Sequence, residues 1–246
     1  DRTGMEHETA MKPAKGVYYS VGVGPGDPEL ITLKAIRTLE RCPVVAAPQT
    51  SSGEMLALSI AKQAADLTGK TILSLHFTMA RDKATQHAAH ETAAAQVRQY
   101  LDAGQDVAML NLGDVSVYAT ALYLAEILKE QGYVSRMIPG VTSFCAVAAR
   151  LNTSLTGIRT PLHILPGGDL DALDEALALP GTKVLMKSGR QMPAVLERLA
   201  AHGLLEHSGM VCNCGLPDEM VRPDLSQDAA PVDAGYFATI IVKEEE

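Results

Sequence analysis

Apolar residues in the first part of this chain alternate between two patterns. Short unbroken runs read as strands buried on both faces: Val17–Val23, Val44–Ala47 closed by Pro48, Thr71–Leu75, Val107–Leu112 and Arg136–Ile138. Between them, apolar positions recur three and four apart, as on a helix that covers a sheet. Such stretches run from Leu30 to Leu39, Glu54 to Leu67, Ala84 to Leu101, Leu122 to Lys129 and Phe144 to Leu151. Five strand–helix repeats in about 140 residues predict an open parallel α/β sheet. From Leu162 the order changes. Leu162–Leu165, Lys183–Lys187, Met210–Cys214 and Tyr236–Val242 read as strands, with only Leu170–Leu179 and Met192–His202 as helices. This predicts a second α/β domain with a mixed sheet and a boundary near Thr156–Pro161. The expected division is 1–14, a polar aperiodic flexible tail; 15–157, the parallel-sheet domain; and 158–246, the mixed-sheet domain.

Charge narrows the possible partners. The formal net charge is −8, so nonspecific nucleic-acid binding, which rests on neutralising phosphates, is not expected. Four scattered cysteines, Cys42, Cys145, Cys212 and Cys214, do not make a disulfide scaffold. Cys212 and Cys214 have C-x-C spacing without a second ligand pair, and His87 and Glu91 share one helix face that reads as solvated. No metal site is expected. With no signal peptide and no apolar run long enough for a bilayer, a cytoplasmic protein without membrane contact is the default.

Candidate chemistry gathers at strand ends. Val17–Val23 runs into Gly22, Gly24 and Gly26, then Asp27 as a helix N-cap, Pro28 at the first helical position and Glu29 in the first turn. Glycines there permit positive φ and close approach of a ligand to the main chain. The alternative is a tight strand-to-helix turn with no ligand. The loop is not a dinucleotide fingerprint, because Asp27 stands where the third glycine belongs, and no Gly-Lys-Ser/Thr follows for a P-loop. Two further strand ends carry Gly113-Asp114 and Pro139–Ser143. In a parallel sheet all three point to one edge, where ligands bind at the strand-order switch. Asp114 suits a ligand ammonium or ribose hydroxyl, or a cap for the following helix.

At these loops the chain resembles the tetrapyrrole methylases, the class III S-adenosylmethionine-dependent methyltransferases. The residues carrying the likeness are Val21-Gly22-Val23-Gly24-Pro25-Gly26-Asp27-Pro28, Gly113-Asp114 with Tyr118, and Pro139-Gly140-Val141-Thr142-Ser143. Gly113–Thr120, Phe77–Asp82 and Val141–Phe144 look most like the branch that methylates C20 of precorrin-2 or cobalt-factor II in cobalamin biosynthesis. Methylation of another tetrapyrrole carbon is the alternative, and ligand binding without methyl transfer a further one. Val115 stands where the family commonly has proline, which should loosen that loop.

The resemblance implies two α/β domains with the cofactor in the interdomain cleft, and a homodimer. It places S-adenosylmethionine on Pro25, Leu112, Gly113, Asp114, Val117, Thr142, Ser143, Met186 and Cys214. By pattern alone, Met186 and Cys214 are core residues. Asp27 and Tyr118 are candidates for the base that removes the C20 proton, or for orienting it. Gly24, Arg81 and Arg159 are expected to meet the tetrapyrrole. An octacarboxylate macrocycle needs a local positive trough, for which Arg81, Lys83, Arg150, Arg159, Lys187 and Arg190 are candidates.

Overall fold

The computed structural model describes residues 14–187, 191–228, 235 and 237–244. Of the expectations above, the tail before Ala14, Arg190 and the Tyr236 start of the last strand lie outside them.

The first sheet holds β1 (Tyr18–Gly22), β2 (Val44–Gln49), β3 (Thr71–His76), β4 (Val107–Asn111) and β5 (Ser135–Ile138), in the order β3-β2-β4-β1-β5. Every pairing in it is parallel. Its three inner strands, β2, β4 and β1, are largely buried because both faces are covered, whereas the edge strands β3 and β5 are partly exposed. Helices α1 (Leu33–Arg41) and α2 (Leu56–Ala64) pack Leu39, Leu58 and Ile60 against Val21, Val45 and Leu110. On the other face α3 (Lys83–Asp102) and α4 (Ala121–Glu130) set Val97, Leu101, Leu124 and Leu128 against Tyr18, Val107 and Met109. The helices after β1 and β4 therefore lie on opposite faces, although β1 and β4 are neighbours. That is a topological switch point, and it opens a crevice at the carboxyl ends of these two strands.

The expected first helix is in fact two pieces. Asp27 caps only a 3-10 turn, Pro28–Leu30, through Oδ1, which accepts from the Glu29 amide at 2.9 Å. Ile31 and Thr32 are extended, and Thr32 Oγ1 accepts from the Ala35 amide at 3.0 Å to start α1 afresh. A second N-cap hydroxyl in the apolar run ended the first turn.

The second sheet holds β6 (Leu162–Pro166), β7 (Thr182–Met186), β8 (Ser208–Cys212), β9 (Met220–Arg222) and β10 (Ala238–Val242), in the order β6-β7-β10-β8-β9. Only β6 and β7 pair in parallel, so the sheet is mixed. Helices α6 (Leu170–Leu177) and α7 (Met192–Ala201) cover one face, with Leu173, Leu177, Val195 and Leu199 on Met210 and Ile240. The other face packs on the first half. Here the structure departs from the sequence reading, in which the helix after β5 closed the first unit. Helix α5 (Ser143–Arg150) lays Val147 and Ala148 against Val211 and Ile241 of the second sheet. Phe144 and Val117 join Leu162, Ile164, Val184 and Met186 in a further shared cluster. Burial of these side chains at about 1.5–3 kcal/mol each holds the two sheets together. None of the described helices is long and apolar enough to cross a membrane.

Candidate active site

The three loops of interest leave three adjacent strands, β4, β1 and β5. They are stitched to one another by main chain. Gly24 donates to the Gly113 carbonyl at 3.2 Å and accepts from the Gly113 amide at 2.8 Å, closing a bridge across the switch point. Asp114 Oδ1 accepts from the Gly140 amide at 2.9 Å and so ties the β4 loop to the β5 loop. A Cβ on Gly22 would lie 2.7 Å from the Gly113 oxygen, 2.8 Å from the Gly140 nitrogen and 2.9 Å from the Gly140 Cα. Beneath the loop after β8, Gly26 likewise packs against the Cys214 carbonyl. These contacts correct the expectation that the glycines keep main chain bare for a ligand. Gly22 and Gly26 are needed because backbone packs on backbone there.

Gly113 is different. Its φ is +65°, and a Cβ there would make only ordinary contacts, 3.8 Å from the Ser143 nitrogen and the Val141 oxygen and 3.9 Å from the Thr142 Cα, so backbone does not crowd it as it crowds Gly22. Ser143 is the first residue of α5, so its amide is one of the helix's unpaired terminal donors, and the Thr142 side chain makes no capping bond. The main chain beside Gly113 thus presents a donor, the Ser143 amide, and an acceptor, the Val141 carbonyl. One residue on, Phe144 begins the apolar cluster with Val117 and Met186, the last 8 % exposed at the carboxyl end of β7.

Asp114 is neither a helix cap nor a free carboxylate. Besides Gly140 it accepts from the Ser116 amide at 3.0 Å and from the Ser116 hydroxyl. Partial burial pushes its pKa up, but the bonds from Ser116 and Gly140 outweigh this and hold it below the ordinary aspartate value. Val115 is 4 % exposed, so burial of its side chain anchors the loop where the family's proline would stiffen it.

Tyr118 sits at φ 48°, a left-handed conformation rare for a non-glycine residue. Its hydroxyl donates to the Ile164 carbonyl at 3.3 Å, and Lys187 donates to the Tyr118 carbonyl at 3.2 Å with its ammonium 5.8 Å from the ring centroid. Tyr118 thus clasps the two halves. In the second sheet, β8 ends at Cys212, short of the sequence expectation. Asn213, at φ 52°, turns the chain, and Cys214 lies in the loop that caps the first one. Burial pushes the Cys214 thiol up to about 11, with the Glu219 carboxylate adding to it. Glu219 accepts from the Gly215 amide at 2.8 Å and from Arg150 Nε at 2.6 Å. Arg150 is therefore paired rather than open to substrate. Pro25 is half-buried and Leu112 packs beside the first core. Arg81 and Arg159 are exposed on separate connections, after β3 and before β6. Positive φ at Tyr118 and the Arg150–Glu219 pair had no signal in the sequence. Asn213-x-Gly215 was a turn signal inside an apolar run. Among the described residues no three His, Cys, Asp or Glu side chains gather as metal ligands, and His87 pairs with Glu91 at 3.5 Å.

A doubly wound parallel sheet packed against a second, mixed sheet makes an α/β fold with its switch-point loops beside that second sheet. The chain belongs to the family Tetrapyrrole (Corrin/Porphyrin) Methylases, which it matches over residues 18–230. It is 32 % identical over 234 residues to the cobalt-precorrin-2 C(20)-methyltransferase of Salmonella typhimurium, covering 94 % of this chain and 97 % of that one. It is 29 % identical over 245 residues to the precorrin-2 C(20)-methyltransferase of a Sinorhizobium species, covering 92 % and 95 %. Among solved structures, cobalt precorrin-4 methyltransferase superposes with TM-score 0.69 at 22 % identity over 92 % of this chain and 94 % of that one. Uroporphyrin III C-methyl transferase from Thermus thermophilus gives 0.68 at 24 % over 93 % and 98 %. These two share the fold. The family's methyl donor, S-adenosylmethionine, has polar amino-acid and ribose groups and an apolar adenine face. The Ser143 amide, the Val141 carbonyl and the Phe144, Val117 and Met186 side chains supply polar and apolar groups of the kinds that such a molecule needs.

Proposed function

We propose that this protein transfers the methyl group of S-adenosylmethionine to C20 of precorrin-2 or its cobalt form in cobalamin biosynthesis. Family membership and near full-length likeness to two C20-methyltransferases support the substrate. The observation that supports the mechanism is the main chain beside Gly113 at the switch point, with the Ser143 amide and Val141 carbonyl next to the Phe144, Val117 and Met186 cluster. When bound, S-adenosylmethionine supplies an electrophilic methyl group on a sulfonium whose charge is lost on transfer. Strong stabilisation of that cation would slow the step, so the chain's contribution is alignment. Holding carbon, methyl and sulfur in line supplies about 7–11 kcal/mol.

In this reading Leu112, Gly113, Thr142 and Ser143 hold the donor's polar groups, Pro25, Val117 and Met186 line its apolar face, and Cys214 borders it from the second domain. Asp114 acts through the loops it braces. Residues 15–157 and 158–246 are the two domains. Gly24, Arg81 and Arg159 face the tetrapyrrole, with Arg81 and Arg159 meeting carboxylates. Asp27 keeps Oδ2 without a partner among the described residues, so we assign it the C20 proton. The Tyr118 hydroxyl is committed to Ile164 and positions the substrate. The protein works in the cytoplasm as a homodimer, and light scattering should give twice the 26.1 kDa chain mass.

The test is incubation with methyl-¹³C S-adenosylmethionine and precorrin-2, with and without cobalt, and location of the new methyl by NMR. Label on C20 is expected. Label on another carbon, or no transfer from either substrate form, rejects the proposal.

A further inference from the structure

A second concave site lies away from the crevice, along the free edge of the first sheet. Among the described residues strand β5 pairs only with β1, so its outer main-chain groups have no partner strand there. Between this edge and α1 runs an open hollow of about 450 Å³, lined by Tyr19, Lys34, Arg41 and the β5 residues Ser135, Arg136, Met137 and Ile138. That volume is in the range of small-molecule sites. Lys34 and Arg41 are seven apart, two turns along one helix face, and Arg136 enters from the strand. No carboxylate lines the hollow, and none of the three cations forms an ion pair among the described residues. In a chain with 29 acidic and 21 basic residues, three exposed cations that line one hollow without an ion pair among the described residues are a distinct local feature. The Arg41 guanidinium lies 5.8 Å from the centroid of the Tyr19 ring, within cation–π range.

We propose that this hollow binds a small oligoanion bearing phosphate or carboxylate groups. The two guanidiniums would take its oxyanions in forked hydrogen bonds, Lys34 would add a point charge, and β5 amides would donate from the free edge. The site is separate from the methyl-transfer crevice and does not rest on that reading.

The test is isothermal titration of the full chain with inorganic pyrophosphate and with citrate, in low salt, with sodium chloride of matched ionic strength as the blank. Saturable binding of at least one probe is expected, weakened at least about tenfold by the double substitution Arg41→Gln and Arg136→Gln. A control double substitution, Lys62→Gln and Lys129→Gln, removes equal charge from exposed positions on α2 and α4 and should leave the affinity within about twofold. Pyrophosphate binding without citrate binding would identify a phosphate site, and the reverse a carboxylate site. No saturable heat with either probe, or equal weakening in both double variants, overturns the proposal.

Discussion

Gly22→Ala tests whether the three loops form one interlocked unit. The added methyl would lie 2.7 to 2.9 Å from three backbone atoms, the Gly113 oxygen and the nitrogen and Cα of Gly140. Each distance is roughly half an ångström or more inside ordinary contact. No side chain is available to rotate away, so the loops after β4 and β5 must both shift. Overpacking costs about 1–3 kcal/mol, and a site walled by backbone on two sides falls at the upper end. For a chain of 246 residues, about 3 kcal/mol lowers Tm by roughly 6–12 °C. The same shift pulls Gly24 off Gly113 and moves Gly113 relative to Ser143, so affinity for S-adenosylhomocysteine should fall at least about tenfold. Gly168→Ala is the control, because nothing lies within 4 Å of its added Cβ, and its Tm should stay within about 2 °C. Thermal unfolding by circular dichroism and titration calorimetry read the two effects. If Gly22→Ala kept both the wild-type Tm and the wild-type affinity, the interlocked-loop account would be wrong.

The Asp114 carboxyl titrates below its ordinary value when folded, so the unfolded chain binds more protons in acid. Its contribution to stability is complete above the ordinary aspartate value of 3.8 and is lost as pH falls through the lower folded value. Asp114→Asn should therefore flatten the acid limb of the stability–pH curve, and an unchanged limb in urea titrations contradicts the brace. Iodoacetamide should alkylate exposed Cys145 first and half-buried Cys214, its thiol pushed up to about 11, more slowly, with buried Cys42 and Cys212 reacting only on unfolding. Peptide mass spectrometry showing Cys214 modified as fast as Cys145 would contradict that burial. Arg159→Glu should raise the KM for tetrapyrrole several-fold while the KM for S-adenosylmethionine stays level. Equal movement of both constants would remove Arg159 from the substrate trough.

Much of the fold was legible because both sheets announce themselves in runs such as Val107–Asn111, buried at every position. The three loops were legible because glycine and capping residues follow those runs directly. What the glycines do there was not. A missing Cβ looks the same in sequence whether a ligand or a neighbouring loop fills the space, and only the pairing of β4, β1 and β5 puts Gly22, Gly113 and Gly140 together. The passage of α5 to the second sheet was hidden for a related reason. Its apolar face, with Val147 and Ala148, would suit either sheet, and chain order suggested the first. Strand β9 is three residues long and only partly buried, too short for a pattern. The Tyr118 clasp depends on a left-handed backbone and on partners 46 and 69 residues away, neither of which a local pattern encodes.

The central claim is that the donor lies where the β4 and β5 loops meet the second sheet. A crystal structure of the protein with S-adenosylhomocysteine measures this directly. The account predicts density beside Gly113 and Ser143, with Met186 against the ligand and the Gly24–Gly113 bridge intact. Ligand density at any other surface, with none beside Gly113 and Ser143, contradicts it.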